Sequence, residues 1–332
     1  MRRRLAATTA LCACALALSS CGSTASDGSR TVRIALDYTA NVDYLGIYAA
    51  IHNGYFAREH IHPVIVPYAE TPAEPLIRSG AADLAISYPP QVIISRSGGL
   101  RYKAVAALVA GNTTGLAVLA SSPVTRPAQL SGLLYGGFGL SSDRPVIETI
   151  MRDDGARHPS FREVVLNTGV TQALGSHRIG YTAVFEGIDD VTAALQGVKL
   201  RTFPYRDYLG AAGQFPNSVF VASDAEIEHR ASVLRAALAA LAQGYEFAAR
   251  HPAAAERILI AENETALGNS ARIVTATGNA TAHDFLDAAG RWGPMDSSSF
   301  TALEAILAKA GLLRGHEPSS EELFTNSLLP GH

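Results

Sequence analysis

Cysteine is nearly absent from this sequence. The 332 residues include three, Cys12, Cys14 and Cys21, and no later position carries one. The rest of the chain therefore has no thiol pair from which to build a disulfide framework. The same absence weakens the case for a metal site. His60 and His62 would share one face of a strand, but no cysteine and no convincing third ligand accompany them. We expect no metal centre.

Charge is also scarce. Charged residues make up 17% of the chain, with 27 Lys and Arg against 30 Asp and Glu, for a formal net charge of −3. No basic block follows the first four residues, which argues against nucleic acid as a partner. Apolar residues make up 48%, a globular composition, and the length suits one large domain or two lobes of roughly 150 residues each. Beyond the N-terminal region, charge, Gly or Pro interrupts every long apolar run before it could span a membrane.

The N-terminal residues have the pattern of a targeting segment. Arg2, Arg3 and Arg4 precede a run of apolar and small residues over 5–18, which is too short to span a bilayer. The following Leu18-Ser19-Ser20-Cys21 resembles the bacterial lipoprotein signal, which implies cleavage before Cys21 and a lipid thioether on that cysteine. We therefore expect a signal peptide over 1–20 and a flexible tether over 21–30. The alternative is an ordinary secretory peptide that happens to contain cysteine.

Strands and helices alternate after this segment. Short apolar runs predict strands, and apolar residues at helical spacing predict the helices between them. This β-α-β-α-β order predicts an α/β fold with parallel pairing and crossover helices. From residue 224 the pattern is almost entirely helical. The predicted strands are 31–36, 61–67, 84–87, 102–109, 115–120, 133–138, 163–166, 179–185, 198–203 and 218–222, and the predicted C-terminal helices are 224–250, 252–261, 281–289 and 299–310.

Two such α/β blocks predict two lobes. The chain is expected to leave the first lobe near 110–117 and to return near 213–220, so that two crossovers form a hinge. We assign 31–114 and 218–332 to the first lobe and 115–217 to the second. Open α/β sheets bind ligands at the carboxyl ends of their strands, which predicts a ligand cleft between the lobes.

Five short segments and one glutamate, Glu186, carry a resemblance to a known family. The segments are residues 36–48 (LDYTANVDYLGIY), 53–56 (NGYF), 79–88 (SGAADLAISY), 127–132 (PAQLSG) and 217–222 (NSVFVA). They resemble motifs of the substrate-binding proteins for pyrimidine precursors of thiamine, a family that has a glutamate at the position of Glu186. The wider group includes the alkanesulfonate, nitrate, taurine and riboflavin binding proteins of ABC importers. The likeness covers nearly all of residues 31–330.

The resemblance implies a type II periplasmic-binding-protein-like fold, in which two α/β lobes enclose the cleft. It implies a monomeric, lipid-anchored protein on the outer face of the cytoplasmic membrane that closes over a small planar heteroaromatic ligand and meets ABC permease and ATPase subunits. The sequence departs from the family at Tyr38, Ala40 and Tyr44, where the family has Trp, Pro and His. Riboflavin, sulfonates, taurine and nitrate therefore remain alternative ligands. A ligand sensor that has lost its role in transport remains an alternative function.

Seven residues are candidates for ligand binding: Asp37, Tyr38, Asn41, Tyr44, Tyr88, Phe138 and Glu186. A flat ligand needs aromatic faces for stacking, which the tyrosines supply, and Asn41 offers both a donor and an acceptor. Glu186 would accept two hydrogen bonds from an aminopyrimidine edge. Structural roles are the alternatives: a loop or cap for Asp37 and helix packing for Tyr44. For Phe138 the alternative is packing in the apolar core. For Glu186 the alternative is a structural role in the first turn of the following helix, where the helix dipole favours an acidic side chain.

An enzyme is the second hypothesis. The fungal pyrimidine synthase of thiamine biosynthesis is similar at the opening motif, and its chemistry uses a pyridoxal-phosphate lysine and histidines. Here the matching histidine is Tyr44, and the chain has only Lys103, Lys199 and Lys309. An export signal would also separate the protein from a cytosolic cofactor. We therefore expect a binding protein without a cofactor or enzymatic activity.

Overall fold

The computed structural model describes residues 30–331, apart from residues 70, 71, 73, 167 and 168. The predicted signal peptide over 1–20, the expected lipidation site Cys21 and the predicted tether up to residue 29 lie outside the described residues. Among the described helices, none is both long enough and apolar enough to cross a bilayer.

The described residues form two five-stranded sheets. Their ten strands are β1 (Arg30–Ala35), β2 (Ile61–Val66), β3 (Leu84–Ser87), β4 (Tyr102–Val109), β5 (Thr114–Leu119), β6 (Leu134–Gly137), β7 (Arg162–Val165), β8 (Tyr181–Phe185), β9 (Leu200–Pro204) and β10 (Ser218–Ser223). The first sheet has the order β2–β1–β3–β10–β4, and the second has the order β7–β6–β8–β5–β9. Strand β3 is buried along its whole length, as its unbroken apolar run predicts for a central strand.

The predicted parallel pairing is found in the centre of each sheet. Strands β1, β2 and β3 are parallel, and so are β6, β7 and β8. The strands that follow a change of sheet run the other way: β5 is antiparallel to β8 and β9, and β10 is antiparallel to β3 and β4. Only residues 110–113 separate β4 from β5. The first change of sheet therefore takes only four residues.

Fourteen α-helices accompany the strands in the described part of the chain. They are α1 (Leu45–His52), α2 (Tyr55–Arg58), α3 (Glu74–Ser79), α4 (Pro89–Ser97), α5 (Asp143–Asp153), α6 (Val170–Gly175), α7 (Asp189–Leu195), α8 (Asp224–His229), α9 (Ala231–Arg250), α10 (Pro252–Glu262), α11 (Glu264–Leu267), α12 (Ala271–Thr281), α13 (Ser297–Lys309) and α14 (Ser320–Leu323).

Two of the predicted C-terminal helices are wrong. The helix predicted over 224–250 is two helices, because Arg230 leaves the helical conformation (φ −127°, ψ 28°) and directs its guanidinium to Asp83 at 2.6 Å. The helix predicted over 281–289 is instead a 3₁₀ turn over Ala282–Phe285 that follows α12. Helix α12 itself was not predicted, because Val, Thr, Gly and Asn are weak helix formers. Tertiary packing selects it: a Cβ at Gly278 would lie 2.4 Å from Glu256 Oε1 on α10.

Close packing of α1 on α9 positions the loop that follows β1. A Cβ at Gly46 would lie 2.2 Å from the ring of Tyr245, and one at Gly244 would lie 2.1 Å from the carbonyl oxygen of Gly46. The Tyr245 ring stacks on Trp292 with centroids 5.0 Å apart, and its hydroxyl donates to the carbonyl oxygen of Asp43 at 2.9 Å. The loop is therefore attached to the largest apolar core of the first sheet.

The two crossovers between the sheets are hydrogen-bonded to each other. The Thr114 hydroxyl, at the start of β5, donates to Asn217 Oδ1 at 2.9 Å, and the Asn217 N–H donates to the carbonyl of Val109 at 3.1 Å. The N–H groups of Ala110 and Gly111 both donate to the carbonyl of Asp284. These hydrogen bonds tie the two crossovers to each other and the first crossover to the turn at Asp284.

Candidate functional site

A groove of about 570 Å³ is lined by residues near both sheets. Its walls are the loop after β1, the residue after β6, the start of α6, the helix α7 and the helix α12. A smaller recess of about 50 Å³ adjoins it and shares Phe138, Val170, Thr171 and Asp189 with it. The groove is lined by Tyr38, Thr39, Ala40, Asn41, Val42, Phe138, Gly169, Val170, Thr171, Gln172, Ile188, Asp189, Thr192, Gln196, Ser270, Ile273, Val274 and Thr277.

Two exposed aromatic rings contribute to this groove from different sheets. Tyr38 follows β1 and Phe138 follows β6, and their side chains are 43% and 47% exposed. The Tyr38 ring is supported by Tyr68, with the ring centroids 5.5 Å apart. Large aromatic side chains are rarely left open to water without a reason. Both rings are therefore accessible to a molecule in the groove.

The adjacent glycines serve the protein's own packing. A Cβ at Gly137 would lie 2.3 Å from the ring of Tyr135, and one at Gly136 would lie 2.6 Å from Ile179. Both positions are filled by neighbouring side chains rather than left open for a ligand. The glycines therefore bring Phe138 to the end of β6 without themselves lining the groove.

Asp37, Tyr44 and Tyr88 form one hydrogen-bonded cluster beneath Tyr38. The Tyr44 hydroxyl donates to Asp37 Oδ1 at 2.8 Å, and the Tyr88 hydroxyl donates to Asp37 Oδ2. The Tyr38 N–H donates to the Tyr44 hydroxyl oxygen at 3.0 Å. Burial raises the pKa of Asp37 above its ordinary range, and the two tyrosine hydrogen bonds oppose that rise. The cluster thereby fixes the backbone that carries the Tyr38 ring.

The structure separates the roles of the two tyrosines at 38 and 44. Tyr44 is 1% exposed and packs in the core, so its described contacts are those of a support for the loop.

Asn41 lines the groove, but it also caps the turn Val42–Tyr44: its Oδ1 accepts from the Asp43 N–H at 2.9 Å. Its Nδ2 donates to the carbonyl of Thr39 at 3.0 Å.

Glu186 lies apart from the other candidates. It follows β8, and its Oε2 accepts a hydrogen bond from Nη1 of Arg206, which follows β9. The same Nη1 donates to the carbonyl of Asn112 in the first crossover at 3.1 Å. Among the residues that the structure describes, Glu186 is not one of those that line the groove. The glutamate is therefore beside the hinge and already paired.

Sequence reasoning missed an acidic group in the groove wall, Asp189 in the first turn of α7. Its Oδ2 accepts from the N–H of Phe185 at 2.7 Å, and burial raises its pKa to about 6. Burial, together with the nearby carboxylates of Asp37, Asp189 and Asp284, raises the pKa of Asp43 to about 7. The signal in the sequence was the pair Asp189-Asp190 directly after Glu186-Gly187-Ile188.

This arrangement favours a ligand that donates hydrogen bonds. Carboxylates accept hydrogen bonds and attract positive charge, and none of the described residues that line the groove carries a positive charge. No group of three or more His, Cys, Asp or Glu side chains among the described residues is arranged to hold a metal ion.

Comparisons with known proteins agree with the motifs and the fold. The formylaminopyrimidine-binding protein of Halalkalibacterium halodurans is 29% identical over 257 residues, which cover 76% of this chain and 77% of that protein. The periplasmic aliphatic sulphonate binding protein SsuA of Escherichia coli has the same fold, with a TM-score of 0.68 at 15% identity over 90% of this chain and 99% of that one.

A second solved structure and a family model complete the assignment. The ligand-binding component of an ABC-type import system from Staphylococcus aureus, solved with zinc bound, matches with a TM-score of 0.67 at 14% identity over 90% of this chain and 98% of that one. The predicted fold class, two α/β lobes of the periplasmic-binding type with a cleft between them, is confirmed. A model described as NMT1/THI5 like matches residues 41–255, and the chain belongs to the NMT1/THI5-like family.

Proposed function

We propose that this protein is the extracytoplasmic solute-binding protein of an ABC importer, and that its ligand is a small planar heteroaromatic with N–H donors, of the formylaminopyrimidine class. The lobes, 31–114 with 218–332 and 115–217, close over the ligand, and the closed form meets permease and ATPase subunits. The protein is a monomer anchored by a lipid on Cys21, and it has no enzymatic activity. The observation that carries the proposal is the groove with Tyr38 and Phe138 on walls near different sheets and with carboxylates in its surroundings.

The size and composition of the groove support this ligand class. A groove of about 570 Å³ falls within the usual range for small-molecule sites. Stacking on two aromatic rings contributes about 0.5–1.5 kcal/mol per ring beyond the area buried. Asn41 and Asp189 are among the lining residues, and amide and carboxylate oxygens suit amino groups on a heterocycle because each oxygen can accept a further hydrogen bond. The name of the relative from Halalkalibacterium halodurans points to the same class.

Anionic ligands receive less support from the groove. A sulfonate, taurine or nitrate needs positively charged or N–H donor groups around its oxygens. The described lining residues include Asp189 and no cationic side chain. The similarity to a sulphonate-binding structure at 15% identity is a similarity of fold, so it does not offset this argument.

Calorimetric titration tests the proposed function directly. Formylaminopyrimidine, hydroxymethylpyrimidine, riboflavin, taurine and nitrate are titrated into the wild-type protein, and the aminopyrimidines are expected to bind. The variants Tyr38→Ala and Phe138→Ala are each expected to weaken that binding about three- to tenfold, because each removes one stacking ring. Leu195→Ala is the control, since Leu195 is exposed on α7 and is not among the described lining residues.

Two outcomes would contradict the proposal. Binding of taurine or nitrate in preference to both aminopyrimidines would show that the site recognises anions. Aminopyrimidine binding that neither Tyr38→Ala nor Phe138→Ala changes would place the ligand outside this groove.

A further inference from the structure

Asp189 is the only charged side chain among the described residues that line the groove. It lies in the first turn of α7, and it also lines the smaller recess together with Phe138. Oδ2 accepts a hydrogen bond from the Phe185 N–H at 2.7 Å. No described residue donates to Oδ1, and Oδ1 is not among the buried atoms left without a partner. One oxygen is therefore fixed by the backbone, and the other is open to a molecule in the groove.

The described lining of the groove holds no cationic side chain that could pair with Asp189. Burial and the nearby carboxylate of Asp190 raise the pKa of Asp189, the Phe185 N–H lowers it, and the result is about 6. The adjoining recess is lined mostly by apolar side chains. An ionised carboxylate in such surroundings favours a partner that donates hydrogen bonds, because the low polarity strengthens the electrostatic attraction.

Two other acidic candidates near the groove are already occupied. Asp37 accepts from two tyrosine hydroxyls. Glu186 accepts from Arg206 and is not among the described residues that line the groove. Asp189, three positions after Glu186, is therefore the carboxylate that a molecule in the groove can reach.

The chemistry of Oδ1 distinguishes heteroaromatic rings by their substituents. A carboxylate oxygen accepts hydrogen bonds and donates none, so it suits an amino group on the ring. A carbonyl group on the ring also only accepts. An oxo-substituted ring would therefore place one acceptor against another and leave Oδ1 without a partner.

We propose that Asp189 determines the specificity of the groove: its Oδ1 accepts the amino group of a heteroaromatic ligand that lies beside Phe138, while Oδ2 keeps its bond to the Phe185 N–H. This inference rests on the proposed function for the class of ligand. It goes further by naming the atom that distinguishes an amino-substituted ring from an oxo-substituted one. The residue in this role is not the glutamate that the family motif suggests.

The test measures the affinity of two probes by calorimetric titration above the pKa of Asp189, at about pH 8. The probes are hydroxymethylpyrimidine with its ring amino group and the analogue in which an oxo group replaces that amino group. Asp189→Asn keeps an oxygen for the Phe185 N–H and presents amide N–H donors to the groove. Asp190→Asn is the matched control, because Asp190 is the next residue of α7 and is exposed outside the described lining.

The wild type and Asp190→Asn are expected to bind the amino probe about ten- to a hundredfold more tightly than the oxo analogue, the change that corresponds to one hydrogen bond to a charged group. Asp189→Asn is expected to lose this preference. It should bind the amino probe more weakly than the wild type does, and the oxo analogue severalfold more tightly, because an amide N–H can donate to the carbonyl.

The possible failures are distinguishable. An unchanged preference for the amino probe in Asp189→Asn would refute the role of Asp189 and leave the proposed function intact. Equal weakening of both probes would refute it too, since damage to the fold acts on both alike. The same loss of preference in Asp190→Asn would show that net charge, and not contact with Oδ1, sets the affinity. If the wild type binds no aminopyrimidine at all, the proposed function fails and this inference fails with it.

Discussion

Asp43 offers a test of the electrostatics around the groove, through the substitution Asp43→Asn. Asp43 is half-buried near Asp37, Asp189 and Asp284, and its pKa is raised to about 7. Its backbone is held independently, by Asn41 at the N–H and by Tyr245 at the carbonyl. Asparagine has nearly the same shape and stays neutral, so the substitution removes the charge without disturbing these two contacts.

The sign and size of the effect follow from the pKa. An aspartate in an unfolded chain titrates near 3.9. Between about pH 4 and about pH 7 the folded chain therefore holds a proton that the unfolded chain has lost, and the free energy of unfolding falls as the pH rises. For a pKa of about 7, the loss attributable to Asp43 is at most about 4 kcal/mol and is nearly complete by pH 7.

Urea unfolding followed by the fluorescence of Trp292, at about pH 4, 6 and 8, measures this contribution. The stability gained by Asp43→Asn should be near zero at pH 4 and should grow to at most about 4 kcal/mol at pH 8. Asp296→Asn is the control of opposite sign. Burial raises the pKa of Asp296, but hydrogen bonds from Ser298 and Ser299 outweigh it and leave the pKa below its ordinary value. That substitution should therefore cost most at neutral pH and less as the pH falls. A gain from Asp43→Asn of equal size at every pH would refute the reasoning.

Two further predictions concern the supporting cluster and the anchor. Tyr44→Phe removes a buried hydroxyl that donates to Asp37 and accepts from the Tyr38 N–H. The substitution should lower the free energy of unfolding by about 1–3 kcal/mol. Urea unfolding measures the change, with Tyr55→Phe as the control variant. An unchanged stability would show that these hydrogen bonds are replaced by water. Cys21→Ser should move the protein expressed in a bacterial host from the detergent phase to the aqueous phase in a detergent-partition assay, because a lipidated Cys21 holds the chain at the membrane; wild-type protein in the aqueous phase would contradict the anchor.

Most of the fold could be predicted because local patterns and tertiary packing agree. The strands at 84–87 and 102–109 were predicted to the residue, since each is an apolar run bounded by turn residues. The failure at α12 has the opposite cause. Its sequence contains Thr, Val, Gly and Asn, which form helices weakly, and in the structure the segment packs closely on α10 at Gly278.

The candidate site could be predicted only in part, for a reason visible at two residues. Sequence motifs place Tyr38 and Phe138 near the ends of strands, and the structure brings both to one groove. The motif also suggests a ligand contact for Glu186. The sequence around Glu186 does not indicate that Arg206, twenty positions later, donates a hydrogen bond to its carboxylate. Pairings between side chains at the ends of different strands depend on sheet order, which the sequence pattern does not specify.

The departures from the family motif have unequal consequences. At position 44 the family has histidine, and here the Tyr44 hydroxyl donates to Asp37 from within the core. Tyrosine and histidine can both donate a hydrogen bond, so this change keeps a donor at the position that contacts Asp37 here. At position 38 the family has tryptophan, and here the Tyr38 ring is exposed in the groove. A smaller ring there reduces the stacking area offered to a ligand. Of the two positions, Tyr38 is therefore the one at which a substitution should change ligand binding directly, since Tyr44 does not line the groove.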